Sequence, residues 1–239
     1  MEAPVLEVPA YVLSDAVSTA IARMVDRVRP SVVQVHSGRR GAGTGVIWDA
    51  DGLVLTNYHV VAEKGGRLQV GLTDGRTFEA QVIDQEPKLD LAVLKIPASG
   101  LPAAPAADSA RLRVGEMVVA VGHPWGQRWV VTVGIVGGLG SVRVPWNGHE
   151  AQYIRSDVVL APGNSGGPLL NARGEVVGIN SMIFGGDLSV SIPSQVVTKW
   201  LAGLEERRAR RESRQQQAEE FAPRPRVAHG WRRRRFGWR

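Results

Sequence analysis

A glycine-rich segment around one serine carries the strongest indication of chemistry in this sequence. Residues 162–169 read Pro-Gly-Asn-Ser-Gly-Gly-Pro-Leu, so glycines stand on both sides of Ser165. A serine hydroxyl becomes a nucleophile when a base takes its proton, and the oxyanion formed by attack needs hydrogen-bond donors already in place. Glycines permit a tight loop in which the amides of Gly163 and Ser165 converge, and they let a substrate backbone approach closely. The segment predicts a nucleophile loop, with a plain turn between strands as the alternative.

A histidine and an aspartate beside apolar strands are candidates for the rest of such a site. His59 follows the apolar run 53–55, and a histidine, with its ordinary pKa of about 6.5, accepts and returns a proton near neutral pH. Asp90 precedes the apolar run 91–94, and its carboxylate could hold the imidazole of His59 in one tautomer and stabilise its protonated form. Taken alone, each residue also has a structural interpretation, as a buried histidine or as a turn cap.

The three residues follow the chain order His, Asp, Ser, which is the order in chymotrypsin and differs from those in subtilisin and the α/β-hydrolases. From about Val28 to Leu204 the sequence resembles the HtrA (Do-like) family of chymotrypsin-fold serine proteases. The resemblance is carried, in order, by residues 30–33, 43–45, 56–61, 90–95, 113–116, 122–126, 163–169 and 178–180.

The resemblance implies a catalytic role for each of the three residues. Ser165 is expected to be the nucleophile, His59 the general base and acid, and Asp90 the orienting carboxylate. The backbone amides of Gly163 and Ser165 are expected to form the oxyanion hole. The implied activity is that of a serine endopeptidase that cleaves unfolded or misfolded polypeptides through an acyl-enzyme, in protein quality control.

The resemblance also implies which side chain the enzyme accepts on the amino side of the cut. Leu160, Met182 and Ile183 fall where the family lines the S1 pocket, and all three are apolar. Because no carboxylate is present to receive Lys or Arg, the P1 residue is expected to be small or aliphatic. Asn164 stands where trypsin-like digestive enzymes have the Asp that pairs with a freshly cut N-terminus, so activation by such a cut is not expected.

Short apolar runs separated by turn signals predict the elements that must position this site. Asp-Gly pairs, as at Asp51-Gly52 and Asp74-Gly75, are typical of hairpin turns between β-strands. With the resemblance, the predicted fold is all-β: two six-stranded antiparallel β-barrels, a chymotrypsin-like double barrel, with an N-terminal and a C-terminal helix. The predicted strands are 31–37, 45–48, 53–56, 68–72, 78–84 and 91–96 in the first lobe, and 117–122, 129–136, 151–155, 167–171, 175–180 and 188–192 in the second.

Helical periodicity predicts a helix over 14–29, with Ser14 as a possible N-cap and Pro30 as its stop. The predicted organisation is an N-terminal extension at 1–13, a protease domain at 14–204 and a tail at 205–239. Within the protease domain we expect lobes at about 30–100 and 108–193, a Pro- and Ala-rich linker at 97–107 and a closing helix at 194–204.

Charge is concentrated in the Arg-rich tail, residues 205–239. This tail has twelve arginines and five glutamates, a balance of +7, whereas the rest of the chain has 17 basic and 18 acidic residues. The tail is expected to be disordered, with a solvated charged helix over 205–220 as a possible continuation of the body. It could contact nucleic acid or another polyanion, or simply remain solvated.

Composition excludes several other kinds of site. The chain has no Cys, which removes disulfides, Cys-based zinc sites and a thiol nucleophile. No metal or cofactor is expected. The longest charge-free stretch, 158–172, is too short for a membrane helix, so no transmembrane segment is expected.

Departures from the family bear on partners and location. Family members carry PDZ domains after the protease, and none is recognised here, so regulation by a PDZ domain is not expected. No export signal is recognised at the start of the sequence, so the expected location is cytoplasmic, or extracytoplasmic if a leader has been omitted. Expected partners are polypeptide substrates and, by family resemblance, further copies of the chain in a trimer. The rival interpretation is a catalytically silent binding module that uses the basic tail to engage acidic partners or nucleic acid.

Overall fold

The computed structural model describes residues 10–38, 41–62, 67–124, 129–143, 150–181, 189–210 and 213. The chain folds into helix α1, Ala10–Val28, followed by a 3₁₀ turn, Arg29–Ser31. The helix begins four residues before the predicted N-cap Ser14, directly after a proline in the sequence, a residue that is tolerated where helices start. Near its end, the side chains of Met24 and Val28 are buried and lie against the turn at Gly174, so this part of α1 packs on the second lobe.

The first lobe is one antiparallel sheet of seven strands in the order β5-β4-β1-β2-β3-β7-β6. A one-turn helix, α2, Tyr58–Val61, leaves the sheet after β3. Buried Val, Leu and Ile side chains from most of these strands form its core. The strands are β1 Val32–Ser37, β2 Gly41–Ile47, β3 Leu53–Thr56, β4 Leu68–Gly71, β5 Thr77–Glu79, β6 Gln81–Glu86 and β7 Leu91–Lys95.

This sheet differs from the predicted six-stranded barrel in strand number. The single strand predicted over 78–84 is divided into β5 and β6 at Ala80, whose amide donates to Leu68 O at 2.9 Å. β5 therefore pairs with β4 while β6 pairs with β7. An even alternation of apolar residues does not reveal such a change of partner, because the change depends on which carbonyl the amide at the break can reach.

The second lobe is a closed antiparallel barrel of six strands, as predicted, in the order β10-β13-β12-β11-β8-β9. Its core contains buried apolar side chains from five of the strands, together with Leu112 and Val158. The strands are β8 Met117–Gly122, β9 Val130–Arg143, β10 Glu150–Ser156, β11 Pro168–Asn171, β12 Val176–Ser181 and β13 Ser189–Pro193. The all-β class and the helices at both ends are thus confirmed.

The Pro- and Ala-rich segment 97–107 is hydrogen-bonded to both lobes. The amide of Ala104 donates to Ile47 O in β2 at 2.9 Å, and Pro105 O accepts from the amide of Val176 in β12 at 2.7 Å. Leu101 is 4% exposed and belongs to the core of the first lobe. The predicted linker is therefore packed against both sheets and connects them. Buried backbone groups need hydrogen-bond partners, and both sheets supply them.

Helix α3, Ser194–Ala202, ends the body of the chain, with Val197 and Trp200 buried. A turn at Gly203 divides it from the helical residues 204–210, which belong to a separate unit, 204–239. Within that unit Arg210 Nη2 lies 4.0 Å from Glu206 Oε2. The start of the tail is therefore helical where disorder was one expectation, and residues 214–239 lie outside the described residues. Among the described residues, no helix is both long and apolar enough to cross a bilayer.

Candidate active site

Two neighbouring antiparallel strands bring His59 and Asp90 to one end of the first sheet. Strand β3 ends at Thr56, which pairs with Ala92 near the start of β7. His59 therefore follows β3 at the same edge at which Asp90 precedes β7. The backbone reinforces this arrangement, because Asp90 O accepts hydrogen bonds from Asn57 Nδ2 at 3.0 Å and from the amide of Tyr58 at 3.1 Å.

The carboxylate of Asp90 is almost completely buried and is hydrogen-bonded from three directions. Its two oxygens each lie 3.0 Å from His59 Nδ1, and Oδ1 also accepts from the amide of His59 at 3.1 Å. Ser181 Oγ, from the second lobe, donates to Oδ2 at 2.8 Å. A buried carboxylate requires such partners. Asp90 has φ 55, a left-handed conformation that Asp tolerates better than most residues.

This contact decides which imidazole nitrogen is left for chemistry. An ionised carboxylate can only accept hydrogen bonds, so Nδ1 of His59 carries the proton and Nε2 is the free base. The His59 side chain is 33% exposed, whereas that of Asp90 is 3% exposed. The Nδ1 edge of the imidazole is thus hydrogen-bonded to the protein, while the ring remains accessible to a reactant.

The loop around Ser165 is held by its own backbone hydrogen bonds. The amide of Asn164 donates to Ala161 O, that of Gly166 to Asn180 O, and that of Gly167 to Asn164 O, at 2.9, 2.9 and 3.0 Å. Within the described part of the chain, the amides of Gly163 and Ser165 donate to no other group. The two amides predicted for an oxyanion hole are therefore the two that the loop does not use itself.

Gly166 lets this loop press against the first lobe. It has φ +85, and a Cβ built there would lie 2.1 Å from Thr44 O and 2.3 Å from Thr56 Oγ1. The same Cβ would lie 3.1 Å from the amide nitrogen of Asn57, two residues before His59. Ser165 O accepts from the amide of Thr44 at 2.9 Å. The loop that carries Ser165 is thus packed against the strand ends that carry His59.

The three predicted catalytic residues are therefore found on facing elements of the two lobes. His59 and Asp90 are in direct contact, and the Ser165 loop packs beside them. Among the described residues no hydrogen bond joins Ser165 Oγ to His59.

Comparison with known proteins agrees with this geometry. A family model described as the trypsin-like peptidase domain matches residues 43–179. Serine protease HTRA1 of Xenopus laevis is 40% identical over an alignment of 195 residues that covers 76% of this chain and 42% of that protein. A probable periplasmic serine endoprotease, DegP-like, of Ectopseudomonas mendocina is 46% identical over an alignment of 180 residues that covers 72% of this chain and 37% of that protein. The solved HtrA-type protease AlgW with tripeptide gives a TM-score of 0.70 at 33% identity, covering 77% of this chain and 62% of that chain.

The chain belongs to the HtrA family of trypsin-like peptidases. It spans about two fifths of the length of the curated relatives that it matches, 42% for the Xenopus laevis protein. The range matched by the family model, residues 43–179, contains His59, Asp90 and Ser165.

Of the three residues predicted to line S1 in this HtrA-type domain, the structure describes one. Leu160 is partly buried and packs against the core of the second lobe. Met182 and Ile183 lie outside the described residues. No group of three metal-binding side chains occurs within the described ranges.

Sequence reasoning missed Ser181, which donates to Asp90 from the other lobe. The available signal was its position directly after the quoted segment 178–180, at the end of β12. The His123 ring packs edge-on against Trp129, with ring centroids 4.8 Å apart, and its backbone amide donates to Thr44 Oγ1 at 3.0 Å.

The loop geometry predicts a large loss of stability at one residue and almost none at its neighbour. Gly166→Ala should lower the free energy of unfolding by at least about 3 kcal/mol, because it adds backbone overlap to an unfavourable φ. Ser165→Ala should change it by less than about 0.5 kcal/mol, since the hydroxyl makes no described hydrogen bond. Urea denaturation followed by circular dichroism measures both.

The control is Gly75→Ala, because Gly75 has a similar φ of +91 with no atom within 4 Å of a built Cβ. It should cost about 1 kcal/mol from φ alone. A loss above about 1 kcal/mol for Ser165→Ala would contradict the view that this hydroxyl is retained for chemistry.

Proposed function

We propose that this chain is a serine endopeptidase that cleaves polypeptides through an acyl-enzyme. One observation carries the proposal: the buried carboxylate of Asp90 is bonded to Nδ1 of His59, beside a serine loop with two unused amides. The family supports it, because relatives are named serine proteases and a serine endoprotease.

In the proposed first step, Ser165 Oγ attacks the carbonyl carbon of the scissile peptide while its proton passes to His59 Nε2. The carbonyl oxygen becomes an oxyanion and accepts hydrogen bonds from the amides of Gly163 and Ser165. Asp90 stabilises the imidazolium through Nδ1 and stays ionised. The C–N bond then breaks, His59 gives its proton to the leaving amine, and an ester on Ser165 remains.

In the second step, water attacks the ester carbonyl while His59 Nε2 takes its proton. The intermediate collapses to a free carboxylic acid, and the proton returns to Ser165 Oγ. Because Ser165 and His59 are not hydrogen-bonded in this structure, we infer that their contact forms when substrate occupies the cleft, as is common for catalytic hydrogen bonds.

The low exposure of Ser165, the proposed nucleophile, supports unfolded polypeptides as the substrate class. Ser165 is 5% exposed, so a scissile carbonyl can reach it only if the surrounding chain is extended and free to enter the cleft. A folded domain presents few such segments. We therefore propose unfolded or misfolded proteins as substrates and protein quality control as the role, in line with the family resemblance.

The decisive experiment compares digestion of an unfolded test protein by wild type and variants. Ser165→Ala should lower turnover by about 10³-fold or more, and Asp90→Asn by about 10⁴-fold because it favours the wrong tautomer. Ser156→Ala is the control, since Ser156 is a fully buried serine of the same barrel whose hydroxyl has no partner among the described residues; its turnover should match wild type. Cleavage by Ser165→Ala within tenfold of wild type would reject the mechanism.

The same digests test the substrate preference. We propose cleavage after Val, Ala, Ile, Leu or Met, because Leu160, Met182 and Ile183 offer only apolar surface and an unpaired charge buried against them would be costly. Mass spectrometry of the fragments should find these residues at P1 in most cuts. Dominant cleavage after Arg, Lys, Asp or Glu would show that the pocket is assigned to the wrong residues.

The rival proposal is a catalytically silent binding module, which the intact His59, Asp90 and Ser165 argue against. A silent module would leave the test protein uncut by wild type and would not react at Ser165 with a fluorophosphonate. Binding of the unfolded protein without cleavage would then be the remaining activity.

We further propose that the Arg-rich tail attracts polyanions, since it carries a balance of +7 beside a body with 17 basic and 18 acidic residues. Removing residues 205–239 should lower the salt concentration that elutes the protein from heparin, because fewer cation–phosphate or cation–sulfate contacts release fewer counterions. Turnover of a short apolar peptide should stay unchanged. Equal heparin retention would reject the tail as an anchor, and lost peptide turnover would place it in the catalytic machinery.

A further inference from the structure

Thr44 lies in strand β2 of the first lobe and contacts two residues of the serine loop, residues 162–169, in the second lobe. It pairs with Gln34 of β1 in the sheet and is fully buried. Its amide donates to Ser165 O at 2.9 Å, and its hydroxyl donates to Gly163 O at 2.6 Å. The carbonyls of Gly163 and Ser165 thus both accept hydrogen bonds from one residue.

The hydroxyl of Thr44 is also an acceptor. Its Oγ1 accepts from the backbone amide of His123 at 3.0 Å, just after β8. Its backbone carbonyl accepts from Thr56 Oγ1 at 2.8 Å, where β3 ends before His59. Thr44 therefore connects the strand that leads to the proposed base with the loop that carries the proposed nucleophile.

The contact with Gly163 O matters because of the peptide units around it. The carbonyl of Gly163 and the amide of Asn164 form one peptide plane, fixed by Thr44 at the oxygen and by Ala161 O at the nitrogen. The adjoining plane contains the Gly163 amide, one of the two proposed oxyanion donors. Gly163 has φ 105, and a glycine itself does not prevent rotation of either plane, since it adopts both signs of φ readily.

We propose that Thr44 is a positioning residue for the oxyanion hole. Its hydroxyl holds the peptide plane of Gly163 O and the Asn164 amide, and this sets the direction of the Gly163 amide in the adjoining plane. The inference rests on the proposed peptidase function, and it assigns to the first lobe a part in catalysis beyond carrying His59 and Asp90. The backbone amide of Thr44 holds Ser165 O, and thereby the peptide plane next to that of the Ser165 amide, in the same way. That contact is independent of the Thr44 side chain.

Two substitutions separate the hydroxyl from the shape of the side chain. Thr44→Val keeps the volume and the amide contact but leaves Gly163 O and the His123 amide without their shared partner. Thr44→Ser keeps the hydroxyl and loses only a methyl group. Thr73→Val is the control, because Thr73 Oγ1 also donates to a backbone carbonyl, but to Arg29 O and not to the serine loop.

The first measurement is peptide hydrolysis at saturating and low substrate, normalised to the fraction of molecules that a fluorophosphonate labels at completion. We expect Thr44→Val to lower kcat by about 10- to 100-fold, less than the 10²- to 10³-fold loss on deleting an oxyanion donor, with KM within about threefold. Thr44→Ser should restore most of kcat, and Thr73→Val should match wild type. A merely structural Thr44 would lower stability and the labelled fraction without changing normalised kcat, which would overturn the inference.

The second measurement needs no substrate. In ¹⁵N-labelled protein, the amide resonances of Gly163 and Asn164 should move in Thr44→Val and stay close to wild type in Thr44→Ser. If wild type is no more active than Ser165→Ala, the proposed function fails, and these resonances still decide whether Thr44 orients the loop. Unmoved resonances in Thr44→Val would overturn the inference about Thr44 whether or not the protein is a peptidase.

Discussion

The proposed active site depends on the burial of one carboxylate. Asp90 is 2% exposed, and an ionised group can be kept there only if the protein supplies hydrogen-bond donors in place of water. The donors come from both lobes: the amide and ring of His59 from the first and the hydroxyl of Ser181 from the second. The same requirement that stabilises the charge therefore draws the two sheets together at the proposed catalytic residues and fixes the tautomer of His59.

The antiparallel sheets supply the geometry that this burial needs. The Thr56–Ala92 pairing brings the end of one strand beside the start of the next, so a histidine after β3 and an aspartate before β7 meet without any long loop. A closed barrel then presents the serine loop from the opposite side, with its carbonyls held by Thr44 and Asn180. Rigid strands with short connections are a suitable support for groups that must keep their positions within a fraction of an ångström.

Close packing at the lobe interface explains why a glycine follows Ser165. The backbone of Thr44 and the hydroxyl of Thr56 occupy the space that a side chain at Gly166 would need. With both flanking carbonyls engaged, the amides of Gly163 and Ser165 remain unused among the described residues. A loop whose other amides are hydrogen-bonded can leave two donors for a ligand without losing its shape.

Local patterns in the sequence were sufficient for most strands and for the candidates His59, Asp90 and Ser165, whereas the double-barrel prediction also used the family resemblance. Apolar alternation, turn residues and glycine spacing are properties of neighbouring residues, so they can be read without knowing the fold. The break at Ala80, the Ser181 contact with Asp90 and the Thr44 contact with Gly163 could not be read in this way. The last two join residues 91 and 119 positions apart, and which of many serines and threonines makes such a contact depends on how two complete sheets pack. Only the tertiary structure decides that, because a hydrogen bond between distant residues leaves no periodic trace in either segment.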